Sequence, residues 1–357
     1  MLDTQGEVRK VLIVRTSALG DVVHALPSLE ALRTQFPKAQ IHWLVEPLSA
    51  RLLESHPALD RVILLERQKW KKLLRSPLRW LSLAAEIARF GQTLRRERYD
   101  VVIDFHGNLR TLGLRLLAGG RHRLGFHRHD VAEAGGSLFT THRAPRQPLR
   151  QNKVEKDLAL VRELGFDGPC PRGRIQLSPS DRAWARSLLD GLPGSGPAVA
   201  LHPAVSRFGE IKRWPAESFR ALIDALRSRH DARILITWGP GERRVAEAVG
   251  RPTLLPAEVS LQRFAAVLEG ADLVVAADTG ALPIAAILGT PTVGLYGPKD
   301  PVVYAPFPVR GEVVTSNAPC SPCLLRECEH RICMATLAPQ AVLAAAERAL
   351  ARGRASA

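Results

Sequence analysis

An α/β chain built as two doubly wound domains, each around a parallel sheet, is predicted from three observations on this sequence of 357 residues. Short apolar, β-branched runs alternate with segments whose apolar residues recur at helical spacing, as expected for strands buried on both faces of a parallel sheet. A Gly/Pro/Ser-rich stretch, Gly191-Leu192-Pro193-Gly194-Ser195-Gly196-Pro197, interrupts that alternation, which then starts again. The length and a hydrophobic content of 46% suffice for two cores of ordinary size. The expected division is residues 1–190, residues 191–338, and an Ala-rich helix within 339–357 that packs back on the first domain.

The first strand is Val11 to Val14. Thr16, Ser17 and Gly20 follow as turn and cap residues, and Val22, Val23, Leu26 and Leu29 set a helix from about Asp21 to Thr34. Asp21 therefore falls in the first helical turn, at the mouth of a strand-to-helix turn, where open α/β sheets bind ligands. The plain alternative is a helix-start acid favoured by the macrodipole. The loop carries neither the G-x-G-x-x-G nor the G-x-x-x-x-G-K-[ST] pattern, which argues against a conventional dinucleotide or Walker cradle. Ile41 to Val45 and Arg61 to Leu65 are the next strands, then a basic segment, a helix through Arg98, and the strand Val101 to Asp104.

After the Gly/Pro-rich stretch come the strand Ala198 to Leu201, a helix from about Pro215 to Arg229, and the strand Arg233 to Trp238. Helices around Glu242 to Val249 and Leu261 to Leu268, the strand Leu273 to Ala276, a helix Gly280 to Leu288 and the strand Thr292 to Leu295 complete the second alternation. The last helix is expected over Pro339 to Arg352.

Three strand ends in this half carry candidate ligand-binding residues. Lys212 and Arg213 lie just ahead of a helix start and suit a phosphate. At Trp238-Gly239-Pro240-Gly241-Glu242, glycines permit close backbone approach and Glu242 suits ribose hydroxyls. At Asp278-Thr279-Gly280 a helix N-terminus offers backbone N–H groups to an anion.

A formal charge of +15 implies attraction to polyanions: nucleic acid, anionic lipid or a phosphorylated substrate. The densest basic run, Arg67 to Trp80, interleaves two tryptophans with six cations, which suits a surface docking on anionic head groups as well as a solvated helix face. No zinc finger, homeodomain, basic zipper or RNP signature is present, so nucleic acid is not the expected partner. The absence of a signal-like or membrane-spanning apolar run leads to the expectation of a soluble, cytoplasmic protein. Four of the five cysteines, Cys320, Cys323, Cys328 and Cys333, share one short span, which suits either a structural metal or a reduced thiol loop.

Taken in order, Arg15-Thr16-Ser17-Ala18-Leu19-Gly20-Asp21, Trp43-Leu44-Val45-Glu46, Tyr99-Asp100-Val101-Val102-Ile103-Asp104, Lys212-Arg213-Trp214-Pro215, Trp238-Gly239, Asp278-Thr279-Gly280 and Tyr296-Gly297-Pro298 resemble the family-nine glycosyltransferases. These are the heptosyltransferases of the lipopolysaccharide inner core. The Trp-Leu-Val-Glu block and the Trp-Lys-Lys segment resemble the branch that adds the first heptose to Kdo-bearing lipid A. The resemblance implies a GT-B fold, with two Rossmann-like domains facing a cleft, and inverting transfer from ADP-L-glycero-D-manno-heptose to the Kdo of Kdo-lipid A. It further implies peripheral contact with the cytoplasmic face of the inner membrane and no required cofactor.

By the same resemblance, Asp21 is the catalytic base and Lys212 meets the donor phosphates. Glu242 holds the adenosine ribose, Asp278 the heptose hydroxyls, and Thr279 and Gly280 the diphosphate, with Ser17, Gly20, Trp238 and Gly239 beside them in the donor site. Lys69, Lys72, Arg128 and Arg143 face the anionic acceptor. Pro283 stands where the family usually has a histidine. The second-heptose branch, or another donor or acceptor on the same fold, is the nearest alternative. A nucleotide-dependent oxidoreductase and a non-catalytic polyanion-binding protein are more distant ones.

Overall fold

The structure, a computed structural model, describes residues 8–131, 133–205, 207–250, 253–306, 311–323, 325 and 327–355. It divides into two compact units, residues 1–176 and 177–357. In the first, β1 (Lys10–Val14), β2 (Gln40–Val45), β3 (Arg61–Leu64), β4 (Val101–Asp104), β5 (His122–Gly125) and β6 (His142–Arg143) form one sheet in the order β3-β2-β1-β4-β5-β6. Every neighbouring pair is parallel. Helices cover both faces of such a sheet, which is why Val11, Leu12, Ile13 and Val14 are all fully buried.

The second unit repeats the plan. β7 (Ala198–His202), β8 (Arg233–Ile236), β9 (Thr253–Leu254), β10 (Leu273–Ala277), β11 (Thr292–Tyr296) and β12 (Glu312–Thr315) pair in the order β9-β8-β7-β10-β11-β12, again all parallel. Both units thus have the doubly wound 3-2-1-4-5-6 order. The strand order reverses between β1 and β4 and between β7 and β10, and at those points the diverging connections open a crevice beyond the carboxyl ends of the strands.

Three expectations are corrected. The units part at Gln176 and Leu177, ahead of the Gly/Pro-rich stretch, because the helix Pro179–Asp190 packs within the second unit. Its Arg182 forks onto Glu269 of the helix Leu261–Gly270 at 2.6 and 3.0 Å. The Gly/Pro-rich stretch is a loop inside that unit, pinned where Ser195 donates to Asp231 at 2.7 Å.

The terminal helix Pro339–Ala355 buries Val342, Ala345, Ala346 and Ala349 in the core of the second unit instead of packing on the first. Arg348 ties it to Glu312 of β12 at 2.7 Å. Finally, the long helix expected after β1 is two, Leu19–His24 and Leu26–Gln35. Pro27 lies in the first turn of the second, where its missing N–H costs nothing, whereas within one continuous helix it would break the ladder. Pro283 is likewise tolerated as the third residue of the helix Ala281–Leu288. No helix among the described residues is long and apolar enough to cross a membrane.

Candidate active site

At the switch point of the first sheet, β1 runs out into buried Arg15 and Thr16 and then the short helix that carries Asp21. Asp21 Oδ2 accepts the Ala18 N–H at 3.3 Å, the back-bond of a helix-start acid. Asp21 Oδ1 faces two cations: Arg15 Nη2 at 3.2 Å, and Lys153 Nζ. The helix-start role and the exposed-carboxylate role thus coexist on different oxygens, and the Asp21 side chain remains 29% exposed. Ser17 and Gly20 lie on the same turn, half-buried.

Arg15 is fixed from below: its guanidinium donates to the carbonyl of Phe105, the residue just beyond β4. There Asp104, fully buried, accepts the N–H groups of His106 and Gly107 at 2.8 and 3.1 Å and the Thr111 hydroxyl at 2.8 Å, and pairs with Arg115 at 3.2 Å. These bonds fold the loop back over the strand end. Gly107, at φ +66°, supplies the left-handed turn that this requires. The His106 imidazole is pushed down to about 3 by burial and then by Arg15 and Arg110, so it is neutral. Behind Arg15, burial pushes the Asp157 carboxyl up to about 6 against the pull of Arg15, Lys153 and Lys156.

The second sheet presents the reverse arrangement at its own switch point. Lys212 ends the turn Arg207–Lys212 that follows β7. Its Nζ donates to the Asp278 carbonyl at 2.5 Å and pairs with Asp278 Oδ2 at 3.1 Å, just past β10. Thr279 Oγ1 is buried there without a partner, and Gly280 caps the helix Ala281–Leu288. The result is a lysine, an unpartnered hydroxyl and a helix N-terminus together, a set of donors suited to a phosphate.

One strand over, Glu242 Oε2 accepts the Gly239 N–H at 2.9 Å, and burial raises the Glu242 carboxyl against that bond. His202 Nε2 lies 4.0 Å from Glu242, while its Nδ1 meets Thr237 Oγ1 at 3.0 Å. Burial pushes this imidazole down to about 4, leaving it neutral. Trp238 donates its indole N–H to the Leu255 carbonyl at 2.9 Å and packs, partly buried, against the core of the second unit.

The four residues expected to face an acceptor fall on three separate segments and are all exposed. Lys69 and Lys72 lie on the helix Arg67–Leu74, with Lys69 paired to Glu86 at 2.9 Å. Arg128 Nε reaches His129 at 3.2 Å, and Arg143, on β6, donates to the Ser137 carbonyl at 3.3 Å.

The metal reading of the cysteines does not fit the side chains as placed. All are free thiols, and among the described residues no three His, Cys, Asp or Glu side chains converge on a metal position. Cys320 points to solvent and Cys333 is buried. Cys328 Sγ accepts the Arg331 N–H at 3.4 Å. Burial, then the neighbouring Cys320 and Cys323, push the Cys333 thiol up.

Sequence reasoning missed Lys153 as a partner of Asp21, and Asp157 and His106 as neighbours of Arg15. Lys153 starts a helix 132 residues beyond Asp21, and no local pattern links the two. Arg15 was visible as the first residue of the strand-end block, but its role shows only in three dimensions.

Two parallel, doubly wound units, one offering a carboxylate and the other an anion cradle at equivalent strand ends, define an α/β group-transfer enzyme of the GT-B type. The model of glycosyltransferase family 9 (heptosyltransferase) matches residues 87–333, and the chain belongs to that family. It is 36% identical over 304 residues to lipopolysaccharide heptosyltransferase 1 of Escherichia coli K12, covering 82% of this chain and 89% of the relative. The enzyme of the same name from Pseudomonas aeruginosa is 33% identical over 328 residues, covering 90% and 88%. The structure of E. coli heptosyltransferase WaaC with ADP superposes with a TM-score of 0.72 at 30% identity, covering 95% of this chain and 99% of that one.

Proposed function

We propose that this glycosyltransferase moves L-glycero-D-manno-heptose from ADP-heptose to the Kdo of Kdo-lipid A, with inversion at the anomeric carbon. The observation that carries the reading is that each unit places a site at its own strand ends, Asp21 on the first sheet and Lys212 with Asp278, Thr279 and Gly280 on the second. An acceptor hydroxyl must lose its proton as it attacks, and Asp21 takes it. As the anomeric C–O bond breaks, its electron pair goes to the diphosphate of ADP. Lys212, the Thr279 hydroxyl and the N–H groups at the helix start stabilise that charge. In this reading the diphosphate replaces Asp278 as the partner of Lys212, and the released Asp278 carboxylate turns to sugar hydroxyls. Glu242 and Gly239 hold the ribose, with neutral His202 at their back. Acceptance of the first heptose agrees with the names of the relatives at 33% and 36% identity.

The acceptor side includes the lipid surface itself. Leu78 and Leu81 are 95% and 87% exposed, beside exposed Leu74 and Trp80 and the exposed cations Lys71, Lys72, Arg75 and Arg79. Such a mixture suits the interface of an anionic membrane and supports peripheral contact with the cytoplasmic face of the inner membrane. Binding to vesicles with and without anionic lipid tests this: retention on anionic vesicles that Leu78→Glu/Leu81→Glu abolishes is expected, and equal recovery from neutral vesicles would overturn it.

Transfer is tested by ADP release from ADP-heptose with purified Kdo-lipid A, with the heptosylated product identified by mass. Acceptor-dependent release is expected. No release above buffer, or release only with an already heptosylated acceptor, would overturn the assignment.

A further inference from the structure

A surface helix ordinarily turns polar residues to water, and the helix Leu109–Ala118 does not. Thr111, Leu114, Arg115 and Ala118 are its buried residues, so the opposite face, at spacings of three and four, reads Leu109, Leu112, Gly113 and Leu116. Leu109 and Leu116 are 54% and 41% exposed. The turn after Gly136 extends this apolar face, with Leu138 and Phe139 52% and 61% exposed. Leu109 and Leu138 meet over Gly135, where a Cβ would lie 3.2 Å from Leu109 Cδ2 and 3.5 Å from Leu138 Cδ1. The turn is held from beneath, because buried Arg115 donates to the carbonyls of Gly136 and Leu138 at 2.6 and 3.2 Å. Contiguous apolar surface presented to solvent on a fixed scaffold marks a binding face.

Cations border it. Arg110 is the exposed neighbour of Leu109, Arg143 donates to the Ser137 carbonyl at 3.3 Å, and Arg123 donates to the Phe139 carbonyl at 2.9 Å. Glu133 offsets part of that charge: its Oε2 accepts the Leu109 N–H at 3.0 Å, within electrostatic range of Arg110. The helix Trp80–Arg96 packs along this one, with its Gly91 against Leu117. Helices that connect parallel strands run back against the strand direction, so both begin at the carboxyl edge of the first sheet, the edge that carries Asp21. Leu81 and Leu109 therefore stand in the first turns of neighbouring helices at one edge.

We propose that Leu109, Leu116, Leu138 and Phe139, with Arg110, Arg123 and Arg143 around them, dock on the same anionic lipid surface as Leu78 and Leu81. The apolar side chains enter the boundary of head groups and acyl chains, and the guanidinium groups meet lipid phosphates. The border of cations and the continuity with the leucine and tryptophan surface next door select lipid over a protein partner. The inference rests on the membrane contact proposed above and extends it along the edge that holds Asp21. A sugar projecting from the head-group layer then meets the base while its lipid stays in the bilayer.

The test measures co-sedimentation with phosphatidylglycerol vesicles, and ADP release with Kdo-lipid A embedded in them, for wild type, Leu109→Glu/Leu138→Glu and Leu109→Met/Leu138→Met. The glutamate pair is expected to lower both the partition coefficient and the vesicle-borne kcat/KM about tenfold or more, and the methionine pair to leave both near wild type. All three proteins should bind ADP alike by calorimetry and use the water-soluble sugar of a deacylated acceptor alike, which shows them folded. Retention of the glutamate pair at the wild-type level would overturn the proposal. So would a wild-type dimer in sedimentation velocity that the glutamate pair dissociates without loss of retention, since that marks a protein face. If Leu78→Glu/Leu81→Glu loses retention and Leu109→Glu/Leu138→Glu does not, this extension fails and the membrane contact stands; if wild type itself is not retained, both fail.

Discussion

The two units share a strand order and differ in the sign of what they place at its switch point. In the first, a carboxylate is gripped by cations: Asp21 between Arg15 and Lys153. In the second, a cation is gripped by a carboxylate: Lys212 on Asp278. Each of these groups is thus held by a partner of opposite charge at the end of its own sheet. The shared topology determines where a site forms, and the loops beyond the strands determine its chemistry.

The largest expected effect breaks the first half of that comparison. Asp21→Asn keeps the shape of the turn and removes the base, so transfer should fall about a thousandfold in a steady-state assay of ADP release. Lys212→Ala breaks the second half. A loss in kcat of roughly a hundredfold, with weaker ADP binding by calorimetry, is expected from removing a cation at the developing phosphate charge. Glu242→Ala should raise the donor KM about tenfold and leave kcat nearly unchanged, because ribose contacts bind ground state and transition state alike.

The smallest effect sharpens the contrast through pH. His202 has its folded pKa lowered to about 4 from 6.5, so the unfolded chain binds the extra proton first and stability is lost as pH falls from 6.5 toward 4. The contribution amounts to about 3 kcal/mol at most, and His202→Asn should flatten the dependence of denaturant unfolding on pH across that window. Asp157 in the first unit acts in the opposite sense. Its folded pKa is raised to about 6 from 3.8, so its burial costs stability as pH rises through that interval, and Asp157→Asn should make the acid loss steeper.

How far the sequence could be read follows from the same physics. The central strands β1, β4, β7 and β10 were legible because burial on both faces demands an unbroken apolar run. Strands β5, β6 and β9 were not: β5 reads His122-Arg123-Leu124-Gly125, and β6 and β9 have two residues each. Asp21, Lys212 and Asp278 were legible because each follows directly on a predicted strand or precedes a predicted helix. Their partners were only partly so. Asp278 and Lys212 are 66 residues apart and Lys153 and Asp21 are 132, distances that only the closed sheets reveal. The unit boundary was misread because a Gly/Pro-rich composition marks a loop without saying which core its flanking helices bury.

The division of labour between the units is tested most directly by measuring ADP binding to Asp21→Asn and Lys212→Ala by calorimetry alongside their transfer rates. Asp21→Asn should bind ADP as wild type does while transferring about a thousandfold more slowly, and Lys212→Ala should lose both affinity and rate. Asp21→Asn that weakens ADP binding as much as Lys212→Ala does, or that transfers at close to the wild-type rate, would contradict the account.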